Sequence, residues 1–330
     1  MPSRKPADRS GKSSPVASGL ALGIDLGATK VVAGLVAADG TLVRHSGRHL
    51  HKNDGPGGVI GTLVECAQVC LKDLSEPPGA IGVAVAAQVD PRTGTVVHAP
   101  NLGWRDVPLA RRVAEQLGGP VRVVNDARAA TFAEWRHGAG TGSDDLFCLF
   151  LGTGVGGSAV VGGRLLEGGS HAFGEVGHLT IVSGGRKCHC PNWGCLEAYV
   201  GGWAIAERAR DAMRADPDAA TGLLALATSL EAVTAETVFR ACRAGDPLAS
   251  RLVRETERFL ADGVVGIVNA FNPSVLILGG GIVSGQPTLI PVAESAVRAR
   301  CQPPAAGARV LAAKLGEDAP LIGAAELARG

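Results

Sequence analysis

The pattern that most constrains this chain occurs twice. Residues 20–45, LALGIDLGATKVVAGLVAADGTLVRH, alternate short apolar runs with breaks at Gly27, Gly34 and Asp39-Gly40. Such breaks punctuate hairpins, so the segment reads as strand, tight turn, strand, turn, strand. Residues 145–169, DLFCLFLGTGVGGSAVVGGRLLEGG, read the same way. Leu26-Gly27 and Leu151-Gly152 stand at the same place in the two copies. The internal similarity is weak in letters but predicts two related halves.

Between and after the copies the periodicity changes. Residues 59–74 read as a helix, AIGVAVAAQV as a buried strand, and Asp106 as the cap of a helix over VPLARRVAEQLG. VRVV is a strand that meets a helix over ARAATFAEWRHG at Asn125-Asp126. Helices are expected over 197–215, 234–244 and 248–270, then a strand SVLILGGG and a helix near 287–300. Strands mixed with helices in both halves predict an α/β chain of two lobes. The expected division is a disordered tail (1–18), an N-terminal lobe (19–125, completed by a C-terminal helix, 318–330) and a C-terminal lobe (126–317).

Composition closes off several function classes. Of 330 residues 46% are hydrophobic and 19% charged, with a formal charge of +1. This is a globular balance without the basic stripe of a nucleic-acid surface. No apolar run reaches the ~18 residues needed to span a bilayer. Arg4, Lys5 and Arg9 before Val16 to Ile24 imitate a short signal peptide, but that run enters Asp25 with no cleavage pattern. Residues 1–18 are expected to be a polar disordered tail. Its Gly11-Lys12-Ser13 is no phosphate loop, because Pro6 stands where the earlier glycine belongs. A cytoplasmic location and no nucleic-acid or membrane partner are the expectation. Eight cysteines are too sparse for a disulfide scaffold, and Cys66, Cys70, Cys148, Cys242 and Cys301 read as small core residues.

The two glycine turns carry possible chemistry. DLGATK and GTGVGG each sit between strands, where glycines expose backbone N–H groups and let phosphate oxygens approach. Either turn alone is more simply a hairpin. Gly152, Gly154 and Gly157 also satisfy G-x-G-x-x-G, but a strand follows where a dinucleotide fold needs a helix. Two such hairpins, one per half, characterise the superfamily of sugar kinases, heat-shock proteins and actin, which this chain resembles. There the turns grip a nucleotide's phosphates from opposite lobes. A third glycine cluster, Gly279-Gly280-Gly281, stands where that superfamily turns under the adenosine.

Asn125-Asp126 is a strand–helix junction that points at a crevice, and both residues are also strong helix caps. An aspartate there can take a proton from a hydroxyl attacking phosphorus. Asn101, in APNLGW, has an ordinary turn explanation and gains interest only beside that pair.

The stretch KCHCPNWGCLEAY holds Cys188, Cys190 and Cys195, with Glu197 two residues on. GEVGH supplies Glu175 and His178 ten residues upstream of Cys188. His178 with the three cysteines makes a Cys₃His set suited to a tetrahedral structural zinc. His189 competes as a ligand, and a disulfide is the alternative for the thiols. A metal here would pin a loop and hold Glu175 and Glu197 together, an arrangement suited to vicinal hydroxyls.

The motifs DLGATK, APNLGW, NDARAA, LGTGVGG, GEVGH, CHCPNWGCLE and LGGG together resemble the ROK family of repressors, open reading frames and kinases, and most closely its bacterial ATP-dependent glucokinases. The similarity covers nearly everything after residue 18. It implies an actin-like, ribonuclease-H-like sugar kinase fold with a cleft between lobes. It implies Asp126 as general base, with Asn101, Asn125, Glu175, His178 and Glu197 holding a hexose and His178 doubling as a zinc ligand. Asp25, Gly27, Thr29, Lys30, Gly152, Thr153, Gly154 and Gly280 would surround Mg²⁺ and ATP. It also implies a homodimer or homotetramer. Departures from the family pattern are Ala87-Gln88 in place of glycine or proline, Pro191 for a usual glycine, and YVGG for a frequent Tyr-Ala-Ser.

The expected reaction is phosphorylation of glucose at O6. Alternatives are N-acetylmannosamine, N-acetylglucosamine, mannose, fructose or allose as acceptor, polyphosphate as donor, or a non-catalytic sugar sensor. The family's repressors carry a helix-turn-helix before the sugar domain, and 18 residues before the first strand are too few for one.

Overall fold

A computed structural model describes residues 19–51, 54–216 and 221–330. The expected tail, 1–18, lies outside the described residues. The first half lays down β1 (Ala21–Leu26), β2 (Lys30–Val36), β3 (Leu42–His49), α1 (Pro56–Leu71) and β4 (Ala80–Val85). A small antiparallel sheet follows, β5 (Gln88–Asp90), β6 (Thr95–Ala99) and β7 (Trp104–Val107). Then come α2 (Leu109–Leu117), β8 (Val121–Asn125) and α3 (Asp126–His137).

The second half begins with β9 (Leu146–Leu151), β10 (Val155–Val161) and β11 (Arg164–Leu165). Next are α4 (Glu197–Val200), α5 (Gly202–Ala215), α6 (Thr221–Ala227), α7 (Ala235–Arg243) and α8 (Pro247–Phe271). The chain closes with β12 (Val275–Gly279), α9 (Gly281–Gly285), α10 (Leu289–Arg300), β13 (Arg309–Ala312) and α11 (Ala319–Arg329).

The weak repeat is a repeat of architecture. The two large sheets have matching orders, β3-β2-β1-β4-β8 and β11-β10-β9-β12-β13. In each, the opening hairpin is antiparallel, and its first strand then pairs in parallel with the strand that follows the helices. The strands β1, β4, β9 and β12 are buried almost throughout, as parallel central strands require.

Each half ends by sending a helix to the other. α3 follows β8 but packs on β10 and β9, and α11 follows β13 but packs on β1 and β4. The two helices also pack on each other. That contact is close enough that a Cβ at Gly323 would lie 1.8 Å from the Ala129 carbonyl oxygen, so only glycine fits there. Glu134, fully buried on α3, ties the crossings together. Its Oε1 accepts the Lys314 and Leu315 N–H groups at 2.9 and 2.7 Å, and its Oε2 accepts the Ala139 N–H at 2.8 Å.

Several local expectations are corrected. Asp106 caps nothing: it lies in β7 with a φ of 49°, and Pro108 holds the N-cap of α2. The helix expected at 59–74 runs Pro56–Leu71, because Pro56 suits a first turn, where the missing N–H costs nothing. The helix expected at 197–215 breaks at Gly201, whose extended backbone (φ −67°, ψ 149°) separates α4 from α5. Gly34 interrupts nothing and pairs within β2. Cys66, Cys70 and Cys148 are buried as expected, whereas Cys242 and Cys301 are only half-buried. Among the described residues no helix is long and apolar enough to cross a membrane.

Candidate active site

A cleft of about 1030 Å³ opens where the ends of the two repeated hairpins face the N-terminus of α3. The first hairpin contributes Asp25 from β1 and the turn residues Gly27, Thr29 and Lys30. That turn is closed by the Gly27 N–H donating to the Lys30 carbonyl at 3.0 Å. The second hairpin contributes Gly152, Thr153 and Gly154, with the Gly152 N–H donating to the Gly154 carbonyl at 2.9 Å. Gly280, between β12 and α9, lines the same cleft.

Asn125 and Asp126 both line the cleft, but only Asn125 is a cap, Asp126 being the first residue of α3. Asn125 is the N-cap of α3: its Oδ1 accepts the Arg128 N–H at 3.1 Å. Its Nδ2 is then turned toward Asp126 Oδ1, at 3.1 Å, and toward the Ala87 carbonyl, at 3.4 Å. Asp126 Oδ1 also accepts the Ala127 N–H at 2.8 Å. These hydrogen bonds favour the carboxylate, but burial outweighs them and holds the Asp126 carboxyl above its ordinary range. Asp25 is pushed up from 3.8 to about 7, chiefly by burial and then by repulsion from Asp126, with Lys30 opposing. Asn101, in a single 3₁₀ turn (Pro100–Leu102), reaches the cleft from the small sheet beside Gln88.

Glu175, His178 and Glu197 form the opposite wall. Burial raises the Glu175 carboxyl; His178 pulls it down, and Glu197 and Asp126 add to the rise. Glu175 Oε2 lies 3.8 Å from His178 Nε2, and the other ring nitrogen, Nδ1, lies 3.7 Å from Cys188 Sγ. Glu197 is more committed than the sequence suggests. Its Oε2 accepts the Val155 N–H at 2.8 Å and its Oε1 accepts the Trp203 indole N–H at 3.2 Å.

The donor atoms of His178, Cys188, Cys190 and Cys195 all lie within 4.8 Å of one another. A tetrahedral Zn²⁺ with Zn–S near 2.3 Å and Zn–N near 2.05 Å implies S···S edges of about 3.8 Å and N···S edges of about 3.6 Å. The Cys190–Cys195 Sγ separation is 3.6 Å and the His178 Nδ1–Cys188 Sγ separation is 3.7 Å, so the donors fit that ion in chemistry and spacing. A backbone bracket holds them: the Cys188 N–H donates to the Asn192 carbonyl at 3.2 Å, and the Ile181 N–H to the Gly194 carbonyl at 2.8 Å. No disulfide joins any of the eight cysteines in this structure. His189 stays out of the cluster, stacked on Trp203 with ring centroids 3.8 Å apart.

Every cleft residue nominated from the sequence therefore lies in one place. Sequence reasoning missed Trp203 and Arg128. Arg128, buried on α3, donates from Nη2 to the His171 carbonyl at 2.8 Å. Arg128 lies inside the NDARAA motif but bonds to a carbonyl 43 residues on, and Trp203, only six residues after Glu197, belongs to no motif.

Comparison with known proteins agrees with this arrangement. The chain is 35% identical over 323 residues to the glucokinase of Streptomyces coelicolor, covering 94% of this chain and 98% of that one. It superposes on the crystal structure of a ROK family glucokinase from Streptomyces griseus in complex with glucose and AMPPNP, with a TM-score of 0.82 and 34% identity over 94% of this chain and 99% of that one. A ROK hexokinase from Thermus thermophilus gives a TM-score of 0.77 and 33% identity, covering 94% and 98%. The profile of the ROK family matches residues 21–330, which takes in both hairpins, the α3 junction and the cysteine cluster, and the chain belongs to that family.

Proposed function

We propose that this protein is an ATP-dependent glucokinase that transfers the γ-phosphoryl group to O6 of glucose, with Asp126 as general base. Relatives at about a third identity over nearly the whole chain carry that name, and one of them is described with glucose and a nucleotide analogue. The observation that carries the reading is the position of Asp126. It lines one cleft with Asp25, beside the first glycine turn, and with Glu175, and its charge adds to the rise of both carboxyls. A group so placed stands where an acceptor hydroxyl and a phosphoryl group would meet.

The chemistry of such a transfer is mostly positioning and charge stabilisation. Asn125 and the Ala127 N–H hold Asp126 by Oδ1, leaving Oδ2 for the acceptor hydroxyl. A carboxyl raised by burial is a better proton acceptor near neutrality than an exposed one. Asn101, Asn125, Glu175, His178 and Glu197 orient the sugar, and the turns at 27–30 and 152–154 present N–H groups to phosphate oxygens. Asp25 and Lys30 would hold the Mg²⁺ nucleotide, whose cation supplies positive charge at the transferred phosphoryl. His178, Cys188, Cys190 and Cys195 would hold a Zn²⁺ that supplies a cross-link rather than reactivity. The lobes are 19–125 with 318–330, and 126–317, and their approach would exclude water. A homodimer or homotetramer is the expected assembly, checked by light scattering.

Asp126→Asn tests the reading. It should still bind glucose by calorimetry, while turnover falls by about 10² to 10⁴. Near-normal turnover in that variant would remove Asp126 from its role.

A further inference from the structure

Residues 197–203 do more than lead from the cysteine cluster into α5. The Gly202 N–H donates to the Gly152 carbonyl at 2.9 Å, and the Trp203 N–H to the Thr153 carbonyl at 3.2 Å. Two successive carbonyls of the second glycine turn are thereby drawn toward α5. In a trans peptide the C=O and the following N–H point opposite ways. The N–H groups of Thr153 and Gly154 are therefore turned away from α5, toward the cleft these residues line.

Glu197 locks the same turn from its side. Its Oε2 accepts the Val155 N–H at 2.8 Å and lies so flat on the turn that a Cβ at Gly154 would come within 2.5 Å of it. Its Oε1 faces the cysteine cluster, 4.0 Å from Cys188 Sγ, and is fixed by the Trp203 indole at 3.2 Å. The indole is itself held by His189, stacked at 3.8 Å with an interplanar angle of 16°. A continuous arm thus runs from the cluster through His189, Trp203 and Glu197 to the turn.

We propose that Trp203 is a positioning residue for the nucleotide: by fixing Glu197 and tying back Thr153, it aims the N–H groups of the second glycine turn at phosphate. This rests on the reading that the turn receives nucleotide phosphate. It adds that the turn's aim depends on a side chain outside the glycine motif and on the loop that holds the cysteines. His189, set between two cysteines, acts as the prop of that side chain rather than as a ligand.

The test is calorimetric titration of the full-length, metal-replete protein with AMPPNP and Mg²⁺ in the absence of sugar. Trp203→Phe keeps the ring and the main-chain N–H but removes the indole donor. Its nucleotide affinity should fall about tenfold, the change that one hydrogen bond to a charged group carries, with zinc content and melting temperature unchanged. Wild-type affinity in this variant would overturn the proposal. If Trp203→Phe melts early or loses metal, Trp203→His decides, since it restores a ring and an N–H. Recovered affinity supports the proposal, and affinity as low as that of the Phe variant overturns it. Absence of AMPPNP binding by the wild-type protein would bring down the phosphate reading of the turn and this inference with it. Glucose turnover by the wild type, measured separately, shows whether the hexose reading stands by itself.

Discussion

Asp25 stores a cost that can be measured. Burial and the neighbouring Asp126 push its carboxyl from 3.8 to about 7. Because its proton affinity is higher in the folded state than in the unfolded one, the folded protein binds more protons between those two values. Stability therefore falls as pH rises through that window, and above about 7 the penalty is fully present. At 1.36 kcal/mol per tenfold change in proton affinity, the ceiling is on the order of 4 kcal/mol. Asp25 is not wholly enclosed, so solvent in the cleft screens part of this, leaving about 1 to 3 kcal/mol. Asp25→Asn removes the charge at nearly constant shape. The variant should be more stable than wild type at pH 8, by about 1.5 to 4 °C in melting temperature, and by less than half of that near pH 5, where the unfolded carboxyl is still ionised. The assay is differential scanning calorimetry of both proteins at the two pH values. With Mg²⁺ and AMPPNP added, the wild type should regain most of the deficit while the variant gains little. An equal difference at both pH values, or a variant less stable at pH 8, would refute the argument that this carboxylate is strained for the sake of a cation.

Two further outcomes follow from the same geometry. Purified protein should contain about one zinc per chain; Cys195→Ala should lose it and melt several degrees lower, and a zinc-free protein with reactive thiols would contradict the tetrahedral fit. Glu134→Ala leaves three buried N–H groups without their carboxylate, so urea denaturation should show a loss of about 3 kcal/mol or more, whereas a loss below about 1 kcal/mol would mean those groups find other partners.

Much of this was legible in the sequence, for physical reasons. The two hairpins were visible because glycine turns and short apolar runs are local signals, and the set His178, Cys188, Cys190 and Cys195 because few chemistries use that composition. The cleft followed once both hairpins were aligned. What stayed hidden depends on contacts across the chain. The small β5–β7 sheet went unrecognised as a sheet: AIGVAVAAQV was read as one strand running into Gln88, and Asn101 as a turn, since the strands Gln88–Asp90, Thr95–Ala99 and Trp104–Val107 are too short to show alternation. The strand β13 and the helix α6 also went unread. Glu197 was expected to face only a sugar, yet it accepts hydrogen bonds from Val155 and Trp203, one of them 42 residues away.

The most direct test of the account is ADP release with Mg²⁺ and ATP over a panel of hexoses, with the product identified by NMR. The account predicts turnover on glucose giving glucose 6-phosphate, and a loss of about 10² or more for Asp126→Asn on the same sugar. No release with any hexose, or release that Asp126→Asn leaves unchanged, would contradict it.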